Sequence, residues 1–428
     1  MITSCAQERI LRTQFSDPQD ANISHCSGAE IMIVQSVHTA KKNHREHRTS
    51  IRIAGTALII LILLIAIEIC SFIAIRYVIV PLDSSLIYQP PEIEPSFYKV
   101  YSEYQHPVLG WATETPERRF SARHESRPNS LFPNTSKSCV SIYGDSFTFG
   151  DEVDDDEAWG NVLSGLINCK VANFGTNGYG MDQAYLRYKL NDSDQSPISV
   201  LGIYPDDFLR NLNQYRPFLA GPHALKVGLK PRFVIDEGSI NLVAPPKFSY
   251  EELLQAISEP ELFFPQETFL PGSEYGPQTL SFPYTLTLLG VLKSESIQSY
   301  VKRRPAWMAY LNDEHSTGAI KIADHIIRNF VNTARERGHR SLVVIFPTPA
   351  SIRYYKRTDK LATGKLLEIL QRNDIIHLDL HQGIVDYLSE RNYREILTEN
   401  SHYNAEGNYL IASLLKPMIE IVNNSPTE

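Results

Sequence analysis

Ser146 and His402 have the side-chain types and positions that nucleophilic catalysis requires. Ser146 closes the run Gly144-Asp145-Ser146, which follows the β-branched and aromatic stretch 140–143. A tight turn after a buried strand lifts a hydroxyl out of the packed layer, which suits a nucleophile when a base lies nearby. His402 directly precedes the apolar pattern 405–421 and offers an imidazole that can accept the serine proton. The pair predicts acyl transfer through a serine ester.

A serine that attacks a carbonyl also needs hydrogen-bond donors for the oxyanion that forms. The backbone N–H of Ser146 is one candidate. Gly178, in the glycine-rich turn 175–180 after the short strand 171–174, supplies the other. Loss of one such donor typically costs about 3 kcal/mol of transition-state stabilisation. These residues therefore predict a two-donor oxyanion hole.

The elements that must position these residues alternate between strand and helix. Short β-rich runs end in turn residues, and amphipathic stretches separate them. This rhythm implies right-handed crossovers and a parallel sheet, whose ligands lie at the carboxyl ends of the strands. The predicted strands are 140–143, 171–174, 199–204, 341–346 and 375–380, and the predicted helices include 159–167, 182–186, 320–334, 361–370 and 405–421.

Three segments together resemble the SGNH/GDSL hydrolase superfamily. Gly144-Asp145-Ser146 resembles its nucleophile block, residues 173–178 resemble the block whose glycine N–H binds the oxyanion, and residues 402–408 resemble the block that supplies the base. The resemblance covers about 139–211 and 316–425. It implies a three-layer α/β/α, flavodoxin-like parallel sheet of class α/β. It also implies a membrane-anchored bacterial member that uses Ser146 and His402 and requires no metal or organic cofactor.

Two departures from the family pattern concern the site directly. The third block usually reads Gly-x-Asn-Asp, with the Asn amide as an oxyanion donor, whereas this chain has Asp206-Asp207. An ionised carboxylate there would repel an oxyanion, so either Asn211 replaces the donor or the hole has two donors only. The family's acid is an Asp shortly before the histidine, where this chain has Glu399 and Asn400. Glu399 is the predicted acid, Asn400 is an alternative orienting group, and a Ser–His dyad is the third possibility.

The amino-acid composition argues against several other classes of protein. With a formal net charge of −8 and no basic stripe containing aromatics, the chain is not expected to bind nucleic acid. Its five cysteines form no CxxC pair, so a structural zinc site is not expected. Cys139 and Cys169 begin two strands that we expect to be parallel neighbours, and in an oxidising compartment they can pair.

One segment predicts a membrane anchor. Residues 53–75 are apolar at all but three of 23 positions, long enough to cross a hydrocarbon core of about 30 Å. Basic residues cluster before this segment and acidic residues follow it, so residues 1–50 are predicted to be cytoplasmic and the rest extracytoplasmic. The segment is longer than a signal-peptide core and lacks a small-residue cleavage site. Met32 is an alternative start of the chain.

The predicted divisions of the chain are a disordered tail 1–50, an anchor 51–80, an extended linker 81–138 with an outer strap at 106–111, and a hydrolase domain 139–425 with an insertion at 212–315.

The resemblance implies a serine-dependent ester hydrolase or acyltransferase that acts on an extracytoplasmic O-acylated substrate, which in many anchored relatives is a carbohydrate. One alternative is a lipase or thioesterase at the membrane surface, with aromatic residues of the insertion, Phe263, Phe264, Phe269 and Tyr284, forming a lid. A second is a catalytically degenerate carbohydrate-binding or scaffold module. The acyl group, the acceptor and the oligomeric state stay open.

Overall fold

The computed structural model describes residues 28–111, 126–222 and 226–424. The chain divides into two compact units, Met1–Phe72 and Ile73–Glu428. Residues 1–27 of the predicted cytoplasmic tail lie outside the described residues, whereas the alternative start, Met32, lies within a described helix.

A long helix dominates the described part of the first unit. Helix α1 spans Gly28–Ala74, and a π-helical stretch, Ile75–Ile79, continues it into Val80–Leu82. The helical segment Ser36–Leu82 is long and apolar enough to cross a membrane, with a mean hydropathy of 3.1 in its most apolar window. Residues 28–50, predicted as disordered tail, are helical instead. Their Ala, Lys, Glu and Arg residues are good helix formers, and adding turns to an existing helix avoids the cost of nucleation.

The second unit contains a five-stranded, wholly parallel sheet in the order β2-β1-β3-β6-β7. This is the flavodoxin-like order that the resemblance implied. The strands are β1 Val140–Tyr143, β2 Val171–Asn173, β3 Ile198–Ile203, β4 Arg232–Asp236, β5 Ser239–Val243, β6 Arg340–Ile345 and β7 His377–Asp379. Strands β4 and β5 form a separate antiparallel pair within the insertion.

Helices cover both faces of the sheet, which makes the architecture three-layered. Alternate strand residues enter two apolar cores. One core contains Val140, Ile142 and Leu342, which pack with the helices Trp159–Ile167 and Ala405–Asn424. The other core contains Tyr143, Leu201 and Val343, which pack with the helices of the opposite layer and with the insertion. The helices are α2 Pro95–Tyr104, α3 Ser146–Phe149, α4 Trp159–Ile167, α5 Met181–Leu190, α6 Asp207–Arg210, α7 Arg216–Ala220, α8 Tyr250–Ser258, α9 Pro260–Phe263, α10 Tyr284–Lys293, α11 Glu295–Val301, α12 Ala319–Glu336, α13 Pro349–Thr358, α14 Gly364–Arg372, α15 His381–Tyr387 and α16 Ala405–Asn424.

The linker and the insertion contain more regular structure than the sequence predicted. Helix α2 lies within the predicted extended linker, and the predicted strap at 106–111 packs on the domain, where Leu109 and Trp111 are buried. In the insertion, Phe264 and Phe269 lie in the main core instead of forming a mobile lid. Their burial explains the aromatic content of this segment: it extends the core.

The predicted pairing of Cys139 with Cys169 is confirmed. The two residues form a disulfide with a Cα–Cα distance of 6.1 Å. Val140 of β1 pairs in register with Val171 of β2. Cys139, just before β1, therefore lies close to Cys169, which is in the connection that leads into β2.

Candidate active site

Ser146 begins α3 directly after a sharp turn at the carboxyl end of β1. The Asp145 carboxylate caps this helix by accepting the backbone N–H of Phe147 at 2.9 Å. Gly144 is required because any Cβ there would collide with the side chain of Thr148. Ser146 is only 3% exposed, so substrate must reach its hydroxyl through the neighbouring side chains.

His402 lies within hydrogen-bond distance of Ser146, although 256 positions separate them in sequence. Its Nε2 is 2.9 Å from Ser146 Oγ, and its ring packs on Phe147 with 4.9 Å between ring centroids. The other ring nitrogen, Nδ1, is 2.9 Å from Oε1 of Glu152. When Nδ1 carries the proton, Nε2 is free to accept one from the serine. The arrangement is a serine, an imidazole and a carboxylate in series.

Glu152 holds this third position from the acidic loop that follows the nucleophile. Its backbone has a left-handed φ of +66°, which a non-glycine residue adopts only when the surroundings enforce it. Burial raises the pKa of Glu152, but hydrogen bonds from Thr398, His402 and Asn400 outweigh it and leave the pKa below its usual value of 4.5. The carboxylate is therefore ionised at neutral pH and can stabilise an imidazolium.

The structure does not bring Glu399, the predicted acid, to His402. Glu399 is exposed in the turn before the histidine and makes no hydrogen bond among the described residues. Its neighbour Asn400, the alternative orienting group, instead donates to Glu152. The histidine loop thus supplies neutral donors, and the negative charge comes from the nucleophile loop.

A residue of the predicted linker fixes the loop that carries Glu152. Arg127 is 4% exposed, and its Nη1 donates to the carbonyls of Phe149 and Gly150 at 2.7 and 2.6 Å. Its Nη2 donates to the carbonyl of Val153 at 2.7 Å, and Nε pairs with Asp155 at the same distance. A single guanidinium therefore holds both sides of Glu152. The sequence analysis missed this residue because no local pattern marks it.

The predicted oxyanion donors lie on two adjoining turns. Gly178 has a φ of +74°, and the strap supports its loop because Trp111 Nε1 donates to the carbonyl of Asn177 at 3.0 Å. Asn177 in turn donates to the Asp151 carboxylate at 2.9 Å, which ties this turn to the loop of the nucleophile. Within the described ranges, no hydrogen bond occupies the backbone N–H of Ser146 or of Gly178.

Asn211, the predicted stand-in donor, has a different position. It is fully buried, and its Oδ1 accepts the backbone N–H of Asp182 at 3.2 Å, at the start of α5. In the described part of the chain, Nδ2 of Asn211 has no partner, and no hydrogen bond joins Asn211 to Ser146 or His402. Its observed role is to fix the helix that follows the Gly178 turn.

The two aspartates of the third block have different environments. Asp207 is buried and pairs with Arg210, whose Nη1 also contacts Asp145 at 2.8 Å. Asp206 is partly exposed, and burial raises its pKa against the opposing effect of Arg210.

A second serine–histidine–aspartate set lies within the fold. Oγ of Ser351 is 2.6 Å from Nε2 of His381, whose Nδ1 contacts Asp379. Ser351 and His381 are fully buried, and the Ser351 hydroxyl also bonds to the backbone of Thr348 at the start of α13. This set is a structural network, in which Asp379 also accepts the backbone N–H of His381 at 2.9 Å. Among the described residues, no group of His, Cys, Asp or Glu side chains is arranged to hold a metal ion.

Comparison with known proteins gives only structural matches. No protein-family model matches the chain, and no curated protein matches it. Solved structures similar to it include a G-D-S-L family lipolytic protein from Veillonella parvula DSM 2008 (10% identity, TM-score 0.34, 67% of this chain and 98% of that one). The psychrotrophic esterase EstA from Pseudoalteromonas sp. matches equally broadly (10% identity, TM-score 0.33, 67% and 98%). A two-domain esterase active on acetylated mannans matches over half of its length (10% identity, TM-score 0.30, 67% and 50%). At such scores, function must be inferred from the side chains themselves.

Proposed function

We propose that this protein is a serine-dependent ester hydrolase or acyltransferase in which Ser146, His402 and Glu152 form the catalytic triad. The observation that carries the proposal is the continuous series of contacts from Ser146 Oγ through the imidazole to Glu152, with 2.9 Å at each step. The carboxylate orients the ring and stabilises the imidazolium, and it stays ionised throughout.

The reaction follows from these positions. His402 Nε2 takes the proton of Ser146 as Oγ attacks the ester carbonyl, and the N–H groups of Ser146 and Gly178 bind the oxyanion. When the tetrahedral intermediate collapses, His402 returns the proton to the leaving alcohol and the acyl group stays on Ser146. Water or a second hydroxyl then attacks this acyl-enzyme by the same steps in reverse. The identity of that acceptor decides between hydrolase and transferase.

The substrate is proposed to be an O-acylated carbohydrate outside the cytoplasm. The resemblance of the three sequence blocks to anchored members that act on surface polysaccharides supports this class. The long apolar helix and the Cys139–Cys169 disulfide support the extracytoplasmic location, because disulfides persist in oxidising compartments. The burial of Phe264 and Phe269 removes the main support for a lipase lid. A series of ester substrates tests the class: preference for acetyl over long acyl chains is expected, and the opposite order would favour a lipid substrate.

A fluorophosphonate probe tests the nucleophile. We expect the full-length protein to be labelled on Ser146, as identified by peptide mass spectrometry, and Ser146→Ala to abolish the label. Ser351→Ala is the matched control, since Ser351 also contacts a histidine but is sealed in the core. The Ser351→Ala variant should still be labelled on Ser146. Absence of Ser146 labelling in folded protein would exclude the enzyme and favour the binding-module alternative.

A further inference from the structure

Helix α10 of the insertion packs one face on the last residue of the predicted membrane span and on the residues that follow it. Val291 is fully buried there against Ile75 and Ile79, and Tyr284 and Leu288 pack beside it. All of these residues belong to the second unit. The insertion is therefore held at the point where the chain leaves the predicted span.

The opposite face of the same helix is apolar and uncovered. Phe282, Leu286 and Leu289 are 73%, 63% and 47% exposed. Leu286 and Leu289 lie on one side of the helix because they are three residues apart, and Phe282 lies two residues before the first residue of the helix, Tyr284. We call these three residues the outer face of α10. A helix that is apolar on both sides is unusual at a protein surface in contact with water, and exposed apolar patches commonly mark binding surfaces.

Basic residues accompany this exposed apolar surface. Residues 284–304 contain four basic side chains and a single acidic one, Glu295, which pairs with Arg304 at 3.1 Å. Lys293 continues the spacing of the outer face, and Lys302 and Arg303 follow the exposed Tyr300 and Val301 at the end of α11. This local excess contrasts with the net charge of −8 for the whole chain. Apolar side chains flanked by Lys and Arg suit the boundary between acyl chains and anionic headgroups.

We propose that the outer face of α10 inserts into the lipid surface beside the anchor and seats the catalytic domain on the membrane. The proposal goes beyond ester chemistry and rests on residues 53–75 being the membrane anchor. Two observations favour lipid over a second copy of the chain. The buried face of α10 packs on residues adjoining the predicted span, and the charge around the outer face matches anionic headgroups.

Depth-dependent fluorescence quenching in vesicles tests this proposal with the full-length protein. The natural tryptophans, Trp111, Trp159 and Trp307, are all buried, so a tryptophan introduced at the surface gives a separable signal. Phe282→Trp is reconstituted in vesicles of phosphatidylcholine and phosphatidylglycerol, with and without bromine on the acyl chains. Tyr409→Trp, at an exposed aromatic position on α16, is the matched control. The bromolipid is expected to reduce the added fluorescence of Phe282→Trp at least twofold and to leave that of Tyr409→Trp unchanged.

Three outcomes separate the possibilities. If the protein floats with the vesicles but Phe282→Trp is quenched no more than the control, the docking proposal is overturned and the anchor stands. If fluorescence changes with the protein-to-lipid ratio and not with bromination, the outer face binds a second copy instead. If Leu286→Glu and Leu289→Glu together abolish the quenching of Phe282→Trp while the fluorophosphonate label on Ser146 persists, the proposal is supported independently of catalysis.

Discussion

At the scale of single residues, the central finding is the origin of the carboxylate on His402. Glu152 comes from the loop after the nucleophile, whereas Thr398 and Asn400 of the histidine loop only donate hydrogen bonds to it. The charge therefore comes from the loop after the nucleophile, whereas the sequence predicted it on the histidine loop, at Glu399. Because a carboxylate still contacts the imidazole, the lack of an Asp shortly before His402 does not imply a Ser–His dyad.

The first prediction concerns the charge of Glu152. Glu152→Gln keeps the shape of the side chain but removes the charge that stabilises the imidazolium, so kcat for an activated acetyl ester should fall by about 10²- to 10⁴-fold. Glu399→Gln is the control, because Glu399 is exposed and makes no hydrogen bond in the described part of the chain. Its kcat should be unchanged. Loss of activity in Glu399→Gln instead would return the acid to the position that the sequence suggested.

The second prediction follows from the lowered pKa of the same carboxyl. A group whose pKa is lower in the folded state stabilises the fold above its unfolded pKa, and this contribution is lost as pH falls through the folded value. The contribution of Glu152 should therefore be complete above about pH 5 and decline at lower pH. Urea unfolding of the wild type and Glu152→Gln at several pH values measures this: the difference in unfolding free energy should shrink on acidification. A difference that grows as the pH falls would contradict the assigned contacts.

At the scale of elements, the site depends on segments outside the sheet. The strap places Trp111 on the Gly178 turn, and Arg127 holds the loop of Glu152 from the other side. Both segments belong to the predicted linker, so the linker is part of the candidate active site as well as the connection to the predicted anchor. In the insertion, the buried pair of Lys230 and Asp182 joins the added segment to the start of α5 in a similar way.

The third prediction tests Arg127 as a positioning residue. Arg127→Ala removes a donor from the carbonyls of Phe149, Gly150 and Val153, and we expect it to lower the unfolding free energy by about 2–4 kcal/mol and kcat at least tenfold. KM should change little, because the residue does not contact substrate. Arg328→Ala, on a half-exposed arginine of α12, is the control and should affect neither quantity. If kcat of folded Arg127→Ala at low temperature equals that of the wild type, the residue has only a structural role.

At the scale of the whole molecule, the features outside the active site point to one location. The long apolar helix, the basic residues before it and the disulfide agree with a domain held outside the cytoplasm. The proposed seating of α10 on the lipid would bring the candidate nucleophile to substrates near the membrane surface. The range of substrates would then depend on their distance from the membrane surface as well as on the shape of the site.

The fourth prediction tests this topology. Alkaline phosphatase folds only where its disulfides form, so a fusion after Glu428 should be active and a fusion after Ser50 should be inactive in the same host. Replacing the five basic residues that precede the span with Gln should weaken this difference, because their charge sets the orientation. Those residues are Lys41, Lys42, Arg45, Arg48 and Arg52. Equal phosphatase activity in the two fusions would contradict the predicted orientation.

The sequence by itself determined the parts of this protein that short-range patterns encode. The turn at Ser146, the turn at Gly178 and the alternation of strands and helices each depend on neighbouring residues, so they predicted the parallel sheet and the edge at which the site lies. The approach of His402 to Ser146 was expected from the resemblance of residues 402–408 to the block that supplies the base. The pairing of Cys139 with Cys169 followed from the same parallel neighbours.

Only the tertiary structure decided which charged groups serve the site. Glu152 is one of several acids between 151 and 157, and nothing in its neighbours distinguishes it from Glu399. Its position depends on a loop that Arg127 holds on both sides of Glu152, and these contacts join segments with no shared pattern. Likewise, Ser351 has its own histidine, but its hydroxyl also bonds to the backbone of Thr348 and His381 is fully buried, whereas the His402 side chain beside Ser146 is 19% exposed. Local propensity acts within a few residues, whereas burial and charge pairing depend on chain segments that meet only after folding.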